Sequence, residues 1–129
     1  MSCLDDFLNL QDVSEIRETV KERIGGKDFE FVIRPLNQDE HSSFQKRSNT
    51  VNGKKITFDL GKYNKLVLES CIIEPNFADE KFLTKAKCTS AFDFISKKLP
   101  AGIIMDLTEK IQKLSGFESI NADIEEAKN

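Results

Sequence analysis

Residues 90–117, SAFDFISKKLPAGIIMDLTEKIQKLSGF, constrain what this chain can fold into more than any other stretch. The second half reads as one amphipathic helix. Pro100 suits the first helical position, where its missing N–H costs no hydrogen bond. Ile103, Leu107, Ile111 and Leu114 follow at spacings of four, four and three, with Ile104 beside them, so one apolar stripe runs at the helical period. Asp106 and Glu109 lie nearer the start, and Lys110 and Lys113 nearer the end, as the helix dipole favours. Gly116 is suited to the left-handed residue that stops the helix, and Phe117 after it is placed to fold back on Ile111. In the first half, Ser90 and Asp93 mark the start of a helix over 91–98, with Phe92, Ile95 and Leu99 on its inner face.

Before this stretch the chain mixes periods. Phe29, Phe31 and Ile33 alternate with polar residues, and Val32 adds β-branching, so 29–34 reads as a strand. Val13, Ile16, Val20 and Ile24 recur at helical spacing, yet Val20 and Ile24 also share one face of a strand. The Gly25-Gly26-Lys27-Asp28 turn signal and the need of 29–34 for a partner favour a hairpin, 18–24 with 29–34, packed by one face on helices. Asn37 with Glu40 is a capping box for a surface helix over 38–48, anchored by Phe44. Residues 49–55 read as a polar loop, and 56–58 as a short extended piece. Asp59 caps a helix over 60–72 that is apolar on most sides, the candidate central core helix. Leu66, Val67, Leu107 and Ile111 are the expected core. Glu74-Pro75-Asn76 breaks the chain, and a short helix over 79–86 follows. Leu4, Phe7 and Leu8 form a short helical stripe near the start, a candidate partner-binding patch whose alternative is packing on its own domain.

The expected fold class is α+β: a mainly helical single domain with an N-terminal β-hairpin packed on a small helical bundle. Residues 1–117 form the domain, with an N-terminal helix within 1–15 that is able to move. Residues 118–129 form an acidic tail, expected to be frayed or flexible.

Charge narrows the function. The chain has 22 acidic and 19 basic residues. The tail carries four acids and one lysine, so the first 117 residues are neutral, 18 against 18. No overall basic excess points to nucleic acid. No run reaches the ~18 apolar residues of a membrane span. The start lacks the basic region and cleavage site of a signal peptide, so the chain is expected to be cytoplasmic. Cys3, Cys71 and Cys88 are odd in number and far apart, which argues against a disulfide framework and leaves Cys71 as a small core residue.

Catalytic and metal chemistry have no constellation to work with. His41 is the sole histidine and reads as a surface residue. The cysteines have no close partner for zinc. Gly25-Gly26 precedes a strand and not a helix, so it is no phosphate loop. The adjacent carboxylates, such as Asp39-Glu40, suit helix starts. The expectation is a non-enzyme with no cofactor: either an interaction module or assembly chaperone, or a structural subunit of a larger particle.

The order of four segments carries a resemblance. These are ETVKERIGGKDFEFVIRPL running into NQDE; KLVLESCIIEPNFAD; the short helix with its linker and the Ser-capped helix; and LPAGIIMDLTEKIQKLSGF. Together they span 18–117. In this order the chain resembles the phage tail assembly chaperones of the XkdN-like group, from phages and prophages of Gram-positive bacteria. Members often carry Glu before the apolar run of the last helix, where this chain has Ile103-Ile104 after Gly102. The resemblance implies binding of the aggregation-prone tape-measure protein before the tail tube polymerises, in the bacterial host cytoplasm. Other tail proteins, or the chain's own longer frameshifted form, are further implied partners. The alternative is a structural tail or virion protein, or an unrelated interaction domain.

Overall fold

The structure is a computed structural model and describes residues 3–117. In chain order it runs α1 (Cys3–Leu8), a 3₁₀ turn (Val13–Glu15), β1 (Glu18–Ile24), β2 (Lys27–Ile33), α2 (Gln38–Arg47), β3 (Asn49–Asn52), β4 (Lys55–Phe58), α3 (Leu60–Cys71), β5 (Ile72–Glu74), α4 (Glu80–Ala86), α5 (Ala91–Lys98) and α6 (Ala101–Leu114). This is the expected α+β class, with the N-terminal hairpin in place.

β1 and β2 pair antiparallel from Glu18↔Ile33 to Ile24↔Lys27. The turn is therefore two residues long. Gly25 and Gly26 both have positive φ, as a type I′ turn requires, and neither position suits an L side chain. The hairpin is the edge of a three-stranded sheet, ordered β1-β2-β5. The third strand corrects the sequence reading, which continued the α3 helix through Ile72. Ile72 instead takes extended φ and ψ at the helix C-cap and pairs with Ile33. Its β-branched neighbour Ile73 and the following Pro75 favour extended backbone over helix.

The inner hairpin face carries Val20, Phe31 and Ile33, which join Val67, Leu68, Cys71, Ile95, Leu107 and Ile111 in one core. Leu66 is half-buried, so of the four expected core residues it lies at the margin. Phe31, Phe77, Phe82 and Phe94 form an aromatic cluster under the sheet, with Phe77 stacked on Phe94 at 5.1 Å between ring centroids. Burial pushes the Cys71 thiol up to about 12, which keeps it neutral and apolar.

The helix ends follow their sequence signals. Asn37 and Glu40 form the capping box of α2, and the Asp59, Asp79 and Ser90 side chains cap α3, α4 and α5. The Asp93 carboxylate reaches the Thr89 N–H at 2.9 Å, one residue before the cap. Pro100 is the N-cap of α6 and not its first helical residue; its carbonyl accepts from the Ile103 and Ile104 N–H groups. At the other end, Gly116 has φ of 93°, the Phe117 N–H bonds to Gln112 and the Gly116 N–H to Lys113. That is a Schellman motif.

Phe117 does more than close the helix. Its ring lies 5.0 Å from that of His41, and His41 Nδ1 is 2.6 Å from the Tyr63 hydroxyl. His41 is thus half-buried between α2, α3 and the end of α6, not the plain surface residue expected from its charged neighbours. The Leu36 N–H donates to Ser115 Oγ at 2.9 Å, a second tie at the same corner. Tertiary proximity alone brings these residues together. The predicted tail, 118–129, lies outside the described residues.

Candidate partner-binding surface

Binding surfaces on a chain without a catalytic constellation are sought where apolar area remains uncovered. Among the described residues no group of three or more His, Cys, Asp or Glu side chains is placed to hold a metal ion. No helix among them is long and apolar enough to cross a membrane.

The N-terminal helix is the first such place. Leu4 is 73% exposed, Phe7 62% and Leu8 82%, and Leu10 continues the row. Asp5 and Asp6 occupy the first turn. On α1 the side chains of Leu4, Phe7 and Leu8 are exposed and recur at helical spacing.

The second place escaped sequence reading. Residues 49–58 are a β-hairpin, where a polar loop and a lone extended piece were expected. Asn52 pairs with Lys55 across Gly53-Lys54, and Gly53 has positive φ, the first central position of a type II′ turn. The backbone N–H of Asp59 bonds to the Ser48 carbonyl at 2.8 Å and closes the base. Because opposed residues share a face, Val51, Ile56 and Phe58 all lie on one side, with Thr50, Thr57 and Lys55 on the other. Every residue of both strands is exposed. The signal was there in Asn52-Gly53 between Val51 and Ile56, but strands of four residues give too few alternations to stand out.

Two hollows complete the surface. One, of about 390 Å³, lies between α3, α5 and α6 and is lined by Leu60, Asn64, Leu68, Phe92, Ile104 and Met105 among others. Asn64 Oδ1 is buried there without a hydrogen-bond partner among the described residues. A donor from a bound side chain would satisfy it. The other, of about 540 Å³, lies between β1 and the end of α6, lined by residues including Val20, Lys21, Lys110 and Lys113. Here β1 is the outer strand of its sheet, whereas β2 is covered on both sides, by β1 and by a short pairing with β5. Of the two strands of the first hairpin, β1 therefore offers the open edge to a partner strand.

Charge around the β1 edge is nearly balanced. Lys110 reaches Asp106 at 2.8 Å and Glu22 at 3.3 Å. Burial first, then the neighbouring Asp106 carboxyl, raises the Glu22 carboxyl above its ordinary range. Asp106 is held below its own, first by its hydrogen bond with Glu22. The edge thus offers backbone hydrogen bonds rather than a strong field.

With the geometry in place, comparison with known proteins is decisive for the family. The model of the phage XkdN-like tail assembly chaperone family matches residues 4–128. The chain belongs to this family. The match extends beyond 18–117, the span that carried the resemblance, and takes in both the N-terminal apolar row and most of the acidic tail. The fold is shared with the crystal structure of the protein YqbN, at a TM-score of 0.59 and 14% identity, over 79% of this chain and 87% of that one. That likeness speaks for the fold alone. No curated protein matches the chain. Membership places this protein among phage tail assembly chaperones, whose partners are phage tail proteins.

Proposed function

We propose that this chaperone binds an apolar helical segment of the tape-measure protein and keeps that protein soluble in the bacterial cytoplasm until the tail tube forms around it. The observation that carries the reading is the exposed row Leu4, Phe7 and Leu8 on α1, within a chain that belongs to a tail assembly chaperone family. A long apolar helical protein exposes surface that aggregates unless it is covered during assembly. Exposed apolar side chains supply such cover, and the open β1 edge is a further point of attachment. The action needs no bond chemistry, so no catalytic residue, metal or cofactor is assigned.

Co-expression with the tape-measure gene of the same cluster tests the proposal. The tape-measure protein is expected to move to the soluble fraction and to co-purify with this chain. Equal solubility without this chain, with nothing co-purifying, would sink the reading. Replacing Leu4, Phe7 and Leu8 by Ser is expected to abolish rescue while the domain stays folded. Full rescue by that variant would move the site away from α1. Finished tails are expected to lack the protein, as assembly factors leave the particle.

A further inference from the structure

The described chain is neutral as a whole but sharply divided along its length. Residues 46–65 hold six cations, Lys46, Arg47, Lys54, Lys55, Lys62 and Lys65, and one acid, Asp59, a net of +5. All six cations are exposed, and none forms an ion pair with a described residue. The single acid is engaged as the α3 cap. Amid these cations stands the uncovered hairpin face of Val51, Ile56 and Phe58.

Residues 3–16 are the complement. They hold four acids, Asp5, Asp6, Asp12 and Glu15, and no cation. None of the four forms an ion pair with a described residue. Phe7, Leu8 and Leu10 stand among them, each more than half exposed. One segment is acidic and apolar, the other basic and apolar, and neither set of charges is ion-paired with a described residue. Phe7, Leu8, Leu10, Val51, Ile56 and Phe58 are exposed, Phe58 with one ring contact to Tyr63 at 5.8 Å between centroids.

We propose that the acidic N-terminal segment of one copy docks on the basic β3–β4 hairpin and the start of α3 of a second copy. Opposite potentials steer the encounter and set its orientation, and the apolar faces supply the buried area. Both elements lie on the same chain, so a two-fold dimer makes the contact twice. That doubling matters, because a stable interface buries about 1,200–2,000 Å² in total and three hairpin side chains alone fall far short. The contact also covers the α1 row assigned above to the tape-measure protein, so a second copy guards that row until a client competes for it. Self-association itself requires no client and stands whether or not the tape-measure reading does.

Sedimentation velocity of the full chain across a dilution series tests this. Concentration-dependent self-association that weakens as salt is raised is expected. The pair Asp5→Lys with Asp6→Lys is expected to weaken it about tenfold or more, as is the pair Lys54→Glu with Lys55→Glu. Since Asp5 and Asp6 also favour the start of α1, Asp12→Lys with Glu15→Lys, outside that helix, serves as the second N-terminal variant and is expected to act in the same direction. An equimolar mixture of a lysine-bearing N-terminal variant and the glutamate-bearing hairpin variant is expected to recover association, as a heterodimer. A wild-type chain that stays monomeric throughout overturns the proposal. So does association that ignores both sets of substitutions, or a mixture of folded variants that fails to recover. Binding of a short RNA or DNA duplex through Lys54 and Lys55, with no self-association, assigns the basic surface to nucleic acid and overturns it too.

Discussion

Hairpin β1–β2 and hairpin β3–β4 both turn on two residues with glycine in the first place, yet their apolar faces meet opposite fates. Val20, Phe31 and Ile33 are 5% exposed or less; Val51, Ile56 and Phe58 are exposed by 46% or more. Strand length is one reason. Seven-residue strands present enough apolar side chains to seat a sheet on α3 and α6, and β5 adds a third strand. Four-residue strands paired only with each other present too few, and a lone two-stranded ribbon is marginal in water. The second reason is the ties at the base. Arg34, just past β2, makes a bidentate pair with Glu40 on α2 at 2.8 Å for both bonds, and Glu22 on β1 reaches Lys110 on α6. Among the described residues Lys54 and Lys55 of hairpin β3–β4 form no ion pair, and its base is held by the Asp59 N–H to Ser48 carbonyl bond and the Phe58 ring against Tyr63. One hairpin is therefore a structural element, and the other is available surface.

The contrast is most sharply tested by truncation. Phe31→Ala is expected to cost about 3–5 kcal/mol, the range for a buried aromatic. Ile56→Ala is expected to stay within about 0.5 kcal/mol, the range for a surface change. Urea unfolding of both variants measures the two values. Similar losses would mean that the second hairpin is covered in the native state.

The turns give a smaller effect. Gly26→Ala is expected to cost about 1–2 kcal/mol, because its φ of 81° places Cβ against the backbone. Gly53→Ala meets comparable strain at φ of 62°, but fraying of its hairpin relieves it, so the smaller loss of global stability is expected there. Denaturation midpoints of the two variants rank them.

The Arg34–Glu40 tie adds a pH signature. Its bond to the Arg34 guanidinium holds the Glu40 carboxyl below the ordinary range. A lowered folded-state value stabilises the native state above the unfolded-state value, and that stability fades as pH falls through the folded value. The pair is expected to contribute about 1 kcal/mol at neutral pH, since both side chains keep some solvent contact. Glu40→Gln is expected to lower stability at pH 7 and to flatten the acid limb, read from unfolding curves at several pH values. A variant curve parallel to wild type would remove Glu40 from the acid transition.

The smallest stability change is expected from Val51→Ser together with Ile56→Ser, near zero by thermal melting. The same pair is expected to weaken self-association, and a variant that associates as wild type does would leave the second hairpin without a role.

Much of this was readable in advance, because its causes are local. A cap, an i, i+3, i+4 stripe, a glycine at positive φ and a period-two run each act within a few residues. Hence the Asn37 and Asp59 caps, the α6 stripe ending at Gly116, the Gly25-Gly26 turn, and the apolar row of α1 all stand where the residues indicate. Where local signals were weak or tied, reading faltered. Ile72 suited either one more turn of helix or a strand, and Ile33 across the sheet decided it. Residues 49–58 carried a turn signal, but four-residue strands gave it little support.

The sequence by itself therefore determined the elements, their caps, the α+β class and, through the order of its segments, the family. It also determined that cations gather in 46–65 and acids in 3–16. Only the tertiary structure decided which apolar faces stay uncovered, that His41 sits against Tyr63 and Phe117, and that the basic segment contains a hairpin with an exposed apolar side. The reason is physical: propensity and capping act between residues near in sequence, whereas burial depends on what other elements bring across space.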